Sequence, residues 1–174
     1  MSQQPRIPPL PESEWDETVA GVVKATGPLN VITTIARHPD LFKAWIGLGT
    51  MLLTKGSLPA RDRELAILRT AHNCACTYEW THHAALGRDA GLTDGELTAL
   101  ESGLDEHFWA PRDRAIVSAA DELHFAGTLN DVSWAALADH FDEPGLIELV
   151  MLIGHYEMIA YTLNALGVQL EAEL

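Results

Sequence analysis

Apolar residues along the chain recur every three to four positions, the spacing that lines one face of a helix. Apolar and polar residues nowhere alternate over a sustained run, so the pattern predicts helices and no strands. Pro5, Pro8, Pro9 and Pro11 exclude helix from residues 1–11, which read as an extended N-terminal arm. A first helix is expected over residues 13–24, ended by Gly27 and Pro28, with a short one after Asn30. Pro39 suits a first helical position and opens a helix through Phe42, Trp45, Ile46, Leu48 and Leu52 to Gly56. Pro59 opens another, whose apolar set Leu65, Ile67, Leu68 and Ala71 runs into a polar and small-residue break at 73–75. Helix resumes at Thr77, read as its cap, and stops at Gly91. Thr93 and Glu96 form a capping-box pattern for a short helix. Pro111 begins a long helix through Leu123, and Asn130 or Asp131 caps one carrying Trp134, Leu137 and Phe141. The last helix is expected from Pro144 to Gly167.

An internal echo accompanies this pattern. Glu64 leads an apolar stretch to His72, and Glu148 leads another to His155, Tyr156 and Glu157. The two readings of the echo are a duplicated helical hairpin, giving two lobes, and chance likeness between amphipathic helices. The chain's 174 residues suit one domain, taken as 12–174, with enough length to bury a substantial core.

Charge narrows the partners. The formal net charge is −14, and only eleven Lys and Arg are present, clustered most densely at Arg61, Arg63 and Arg69. Nucleic acid and anionic membrane surfaces are therefore not expected partners. The longest apolar run, residues 146–153, is interrupted by Glu148 and falls short of the roughly 18 residues of a membrane span. The first fifteen residues are polar and Pro-rich, without an apolar signal segment. Two cysteines one residue apart do not make a disulfide framework, which points to a reducing cytoplasm.

The chemistry concentrates in residues 64–91. Cys76, Glu79 and His83 have the i, i+3, i+7 spacing that places a thiol, a carboxylate and an imidazole on one helical stripe. Continuing the helix backwards would add His72. Glu64 lies on the preceding helix and could approach antiparallel. A carboxylate beside an imidazole raises its pKa and fixes its tautomer, which suits general acid–base chemistry. The bland alternative is a solvated i, i+4 pair, but Tyr78, Trp80, Ala84, Ala85 and Leu86 argue for a buried helix. Cys74 and Cys76 lack the second cysteine pair of a familiar metal site, so none is expected, and inert burial is open to both.

The run E-x-x-x-L-R from Glu64, then YEW-x-HH ending at His83, then A-G-L-T-D-x-E ending at Glu96, resembles the carboxymuconolactone decarboxylase superfamily, which includes the alkyl hydroperoxidase D-like proteins. The resemblance is strongest over residues 61–97 and extends to LNALG near the end. It implies an all-α, alkyl hydroperoxidase D-like fold assembling as homotrimers or homohexamers. Registered on the peroxidase branch, His83 is the histidine, Cys76 the first cysteine and Glu64 the glutamate. Glu79 stands where that branch has its second cysteine, so a resolving thiol would have to come from Cys74.

The decarboxylase branch resembles this chain in E-x-x-x-H at Glu79 and His83, and implies chemistry without metal or organic cofactor. The expectation is acid–base chemistry on a small lactone or acidic substrate. Glu64, Cys76, Glu79 and His83 are the candidate catalytic groups, and Arg69, His72, Tyr78 and His82 the candidates for binding substrate. Two alternatives stay open: a thiol-dependent hydroperoxidase using Cys76, and a non-catalytic helical oligomer that binds a small ligand.

Overall fold

A computed structural model describes residues 4–102 and 109–172. Among the described residues every regular element is helical. Nine α-helices follow in chain order: α1 (Glu17–Thr26), α2 (Asn30–Ile35), α3 (Pro39–Thr50), α4 (Ala60–Asn73), α5 (Thr77–Asp89), α6 (Asp94–Ser102), α7 (Pro111–Ala126), α8 (Asp131–Ala138) and α9 (Glu143–Leu166).

The ends of these helices follow from local chemistry. Asp16 caps α1 by accepting from the Val19 amide, and Asn130 caps α8 by accepting from Val132 and Ser133. Thr93 and Glu96 exchange reciprocal hydrogen bonds and start α6 as a capping box. Pro39 and Pro111 occupy first-turn positions of α3 and α7, and Gly127 ends α7 in the left-handed region at φ 69°. Several boundaries differ from the sequence pattern, among them α8, which ends at Ala138 short of Phe141. Helix α1 starts at Glu17, after a single 3₁₀ turn at Glu12–Glu14, because Asp16 is the cap. Helix α3 gives way to a π turn at Met51–Lys55, where the Thr54 hydroxyl bonds back to the Thr50 carbonyl.

The chain divides into two compact units. The first comprises residues 1–54 and 162–174. Within it the N-terminal arm is extended but tied down. The Arg6 amide donates to the Leu166 carbonyl, the Leu10 amide to the Thr33 carbonyl, and the Arg37 guanidinium to the carbonyls of Pro8 and Pro9.

The second unit, residues 55–161, carries the candidate chemistry. Helix α4 is its axis, with α5, α6 and α7 packed around it. Every residue from Glu64 to Ala71 is buried, so this helix is covered on all sides. Its arginines are consumed by ion pairs within the unit. Arg69 forks onto Asp121 of α7 at 2.5 and 2.9 Å, and Arg61 pairs with Glu96 and Asp113. Asp62 accepts from Arg112 at 2.6 Å.

Helix α9 is 24 residues long, with a mean hydropathy of 1.4 over its most apolar window, enough by length and composition to cross a membrane. The charge-interrupted run of residues 146–153 understated it. Its inward positions Leu149, Leu152, Ile153 and Ala160 are fully covered. Glu148 on the same helix accepts hydrogen bonds from the Ser57 amide and hydroxyl and the Leu58 amide. Those contacts belong to a packed protein interior.

The break between α4 and α5 separates the two cysteines. The Cys76 amide reaches the Ala71 carbonyl and the Ala75 amide reaches that of His72, the paired bonds of a Schellman ending. Ala75 takes the left-handed position at φ 49°, where glycine is the usual residue. Cys76, rather than Thr77, becomes the cap residue of α5, and His72 stays on α4, off the stripe that Cys76 begins. The left-handed conformation costs a non-glycine residue about 1 kcal/mol or more. Ala75→Gly should therefore raise stability by about 0.5–1 kcal/mol in urea unfolding, and a loss of stability would show that the Ala75 methyl makes a contact worth more than the strain.

Candidate active site

Helix α5 is buried along one face only, formed by Tyr78, Glu79, His83, Ala84 and Gly87, while Ala85 and Leu86 are exposed. That face rests on α4. Gly87 permits the approach, because a Cβ there would come within 3.0 Å of Leu92 and 3.1 Å of Leu68, and 3.8 Å of the Glu64 Cβ. One turn earlier on the same face stands His83. The close approach brings its Nδ1 to 2.6 Å from Glu64 Oε2, while its Nε2 lies 3.3 Å from Glu79 Oε2.

Both ring nitrogens of His83 thus face carboxylates. Glu64 is 1% exposed, Glu79 5% and His83 6%. Burial alone would lower the histidine pKa, but the hydrogen bonds to Glu64 and Glu79 and their negative charges override it and raise the pKa from 6.5 to about 9. At neutral pH His83 is an imidazolium donating from both nitrogens. Arg63 stands 3.3 Å from the second oxygen of Glu64 and adds a further positive charge. Two carboxylates and two cations then balance in a space nearly closed to water.

Helix α9 supplies two more groups. The Tyr156 ring stands edge-on to His83, centroids 5.0 Å apart, and His155 is buried next to it in sequence. Burial and the neighbouring Glu79 and Glu64 raise the Tyr156 pKa well above 10, so it remains a neutral phenol. Burial lowers the His155 pKa despite an opposing pull from Glu79, which keeps that ring neutral. The only sequence sign of this pair was the echo, in which Glu148 leads to His155 and Tyr156 as Glu64 leads to His72. Both stretches lie on unbroken helix, Glu64 to His72 on α4 and Glu148 to Tyr156 on α9, and the break at Cys74 to Cys76 comes only after the first.

The remaining sequence candidates scatter. Cys76 is 1% exposed at the start of α5. Burial pushes its thiol up to about 11, and the Glu79 and Tyr78 amides, which favour the thiolate, do not compensate. Tyr78 is buried and stacks on His82 at 4.4 Å, and the His82 ring turns back to the Tyr78 carbonyl. Arg69 also donates to the Leu100 carbonyl, so its guanidinium is occupied by Asp121 and backbone rather than presented to a ligand. His72 is exposed and meets only the edge of Trp80 among the ring contacts. The structure thus brings together Glu64, Glu79 and His83, with Cys76 at the head of their helix, and leaves Arg69, His72 and His82 apart from them.

A family model for carboxymuconolactone decarboxylases matches residues 39–122, which span α3 to α7 and hold Glu64, Cys76, Glu79 and His83. Over these residues, just under half of the chain, the sequence is similar to the carboxymuconolactone decarboxylase family. Solved structures agree on the fold. A peroxidase-related protein with an alkylhydroperoxidase AhpD core, from Ralstonia eutropha, has a TM-score of 0.83 at 23% identity, covering 98% of this chain and 95% of its own. The debrominase Bmp8 has a TM-score of 0.77 at 20% identity, covering 95% and 92%. A cysteine-to-alanine form of Bmp8 in complex with 2,3,4-tribromopyrrole is also similar, with a TM-score of 0.77 at 21% identity, covering 99% and 95%. No curated protein matches the sequence. The helical fold expected from the family resemblance is therefore established, while the named activities belong to those relatives.

The raised pKa of His83 has a consequence for the protein's stability. A group whose pKa is raised on folding contributes fully below its unfolded value and loses that contribution as pH rises through the folded one. Stability should therefore decline between pH 6.5 and about 9, by an amount on the order of 2–3 kcal/mol. Glu79→Gln removes one of the two charges that hold the proton and lowers the folded pKa, so its decline should start at the same pH but end at lower pH and be smaller. Urea unfolding across this range checks both curves, and a wild-type stability that is flat or rising would contradict the buried imidazolium.

Proposed function

We propose that this protein is a carboxymuconolactone decarboxylase-like enzyme that performs cofactor-free acid–base chemistry, decarboxylation or isomerisation, on a small acidic or lactone substrate. The observation that carries the reading is the buried imidazolium of His83 between Glu64 and Glu79. Loss of carbon dioxide leaves the electron pair of the broken carbon–carbon bond on the substrate as a carbanion or enolate, which needs a proton. His83 holds one at neutral pH. The short bond from Nδ1 to Glu64 fixes the ring, while the longer Nε2 contact to Glu79 is the side that opens for transfer. A proton passed from Nε2 leaves a neutral ring still anchored to Glu64, and solvent restores the charge. In this reading Glu79 tunes the acid, and Tyr156 presents a neutral ring edge to it.

A second reading places a thiol-dependent hydroperoxidase at Cys76. What favours it is the position of that sulfur at the N-terminus of α5, with the Glu79 and Tyr78 amides directed to it. Glu79 occupies the place where a second thiol would be needed. The third reading, a ligand-binding oligomer without catalysis, uses neither group chemically. We propose a reducing cytoplasm in each case, from two cysteines that stand one residue apart and make no disulfide framework.

One experiment separates the three. Glu79→Gln, His83→Gln, their double variant and Cys76→Ala should be assayed on a panel of lactone acids and on organic hydroperoxides. In the acid–base reading either polar substitution lowers turnover by about 10²–10⁴-fold, and the double variant is no worse than the singles. Cys76→Ala keeps most activity. Glu79→Gln keeps its shape and stays close to wild-type stability, whereas His83→Gln leaves two buried carboxylates without their cation and unfolds more easily. Peroxide turnover that vanishes in Cys76→Ala would install the thiol reading, and full activity in Glu79→Gln would reduce the pair to a structural contact.

We further propose self-assembly, in the trimer or hexamer range, through the outer face of α9. Ile147, Met151 and Met158 are exposed at 66%, 50% and 47%, at the four- and seven-residue spacing of a packing seam. Gly154 stands between them with nothing within 4 Å of an added Cβ, leaving room for the backbone of a second copy. Sedimentation at micromolar concentration should show species well above the 19.0 kDa of one chain, and Met151→Glu should shift them toward it.

A further inference from the structure

A second polar cluster lies outside the acid–base site. It gathers Cys74 from the end of α4, His124 from the last turn of α7, and Glu157 and Tyr161 from α9. Cys74 Sγ is 3.9 Å from His124 Nδ1, and the same nitrogen is 2.7 Å from Glu157 Oε1. Sulfur, nitrogen and oxygen all lie within 4.8 Å of one another. The Tyr161 hydroxyl donates to the other oxygen of Glu157 at 2.8 Å. All three donor residues are partly accessible.

We propose that Cys74, His124 and Glu157 form a binding site for a divalent transition metal of the zinc class, with one coordination position left open. The donor set fits this class: a thiolate, an imidazole nitrogen and a carboxylate oxygen suit a borderline-soft ion. Thiolate and carboxylate together carry two negative charges, which a divalent cation neutralises. Around a tetrahedral ion such donors stand roughly 3.3–3.6 Å apart. The sulfur–nitrogen separation needs to close by only a few tenths of an ångström. The nitrogen–oxygen separation opens by about 0.6 Å as the bridging proton is replaced by the metal. Cys74 loses its proton to solvent when the sulfur–metal bond forms, with no change of oxidation state. Tyr161 then steadies the carboxylate through the oxygen that the metal does not take. Three protein donors with solvent on the remaining side leave room for a water or a small anionic ligand.

Cobalt(II) is the probe, because a thiolate ligand gives it a sulfur-to-metal charge-transfer absorption and a tetrahedral site intensifies its visible bands. Titration of the full chain should show this absorption saturating at one cobalt per chain and bleaching when zinc is added. Cys74→Ser should abolish the charge-transfer band, while Cys76→Ser, which removes the other cysteine, leaves it intact. Glu157→Gln keeps the thiol and should weaken binding by more than about tenfold, and Tyr161→Phe by up to about tenfold. If the wild type gives no charge-transfer band, the cluster is an ion pair between His124 and Glu157 and the proposal fails. It fails equally if the band survives in Cys74→Ser or disappears in Cys76→Ser.

Discussion

A carboxylate as buried as that of Glu64 is stable only beside a hydrogen-bonded cation, and His83 is that cation. Much of the second unit follows from this pairing. Helix α5 must lie close on α4 for the ring to reach the carboxylate, and Gly87 removes the side chain that would hold the two apart. The i, i+4 position of Glu79 on α5 then places a second carboxylate on the far nitrogen without any further choice of backbone. With both nitrogens engaged and water excluded, the proton binds far more tightly than on a free histidine. A structural requirement of the core therefore produces a protonated acid at neutral pH.

The same packing decides what the cysteines can be. A continuous helix through residues 60–89 would have strung His72, Cys76, Glu79 and His83 along one line. The left-handed turn at Ala75 cuts that line. It turns Cys74 toward His124 and leaves Cys76 at the buried head of α5. A thiol at a helix N-terminus is normally favoured as thiolate, but here loss of water outweighs the amides facing it. The two cysteines are one residue apart in sequence and belong to different environments.

What could be read from the sequence divides by the range of the interactions. Thr93 with Glu96, Asn130, Pro39 and Pro111 marked their helix ends correctly because a cap is settled within a few residues. Glu79 and His83 were legible as a pair for the same reason. Glu64 was legible only as a possibility, since its approach rests on the packing of α4 against α5 and on Gly87, whose role no local pattern announces. Arg69 looked available for a substrate carboxylate, but its partner Asp121 is 52 positions away on α7. Tyr156, His124 and Glu157 were invisible as site residues because α7 and α9 return to α4 over long stretches of chain. Ala75 gave no hint of its conformation, since alanine rarely adopts it.

Helix α9 shows how one element serves two polar clusters without merging them. Tyr156 and Glu157 are consecutive, so their side chains leave the helix about 100° apart. Tyr156 turns to the ring of His83, and Glu157 turns to His124. On the opposing side the break performs the same division, sending Cys74 and Cys76 apart within two residues. The separation has an electrostatic reason. Burial, and after it the charge of Glu157, already raise the Cys74 pKa, and a third carboxylate placed beside Glu64 and Glu79 would lack a cation of its own in a closed space. Keeping Glu157 in a partly open cluster with its own histidine lets His83 stay the counter-charge of two carboxylates, which is the balance that leaves its proton held but transferable.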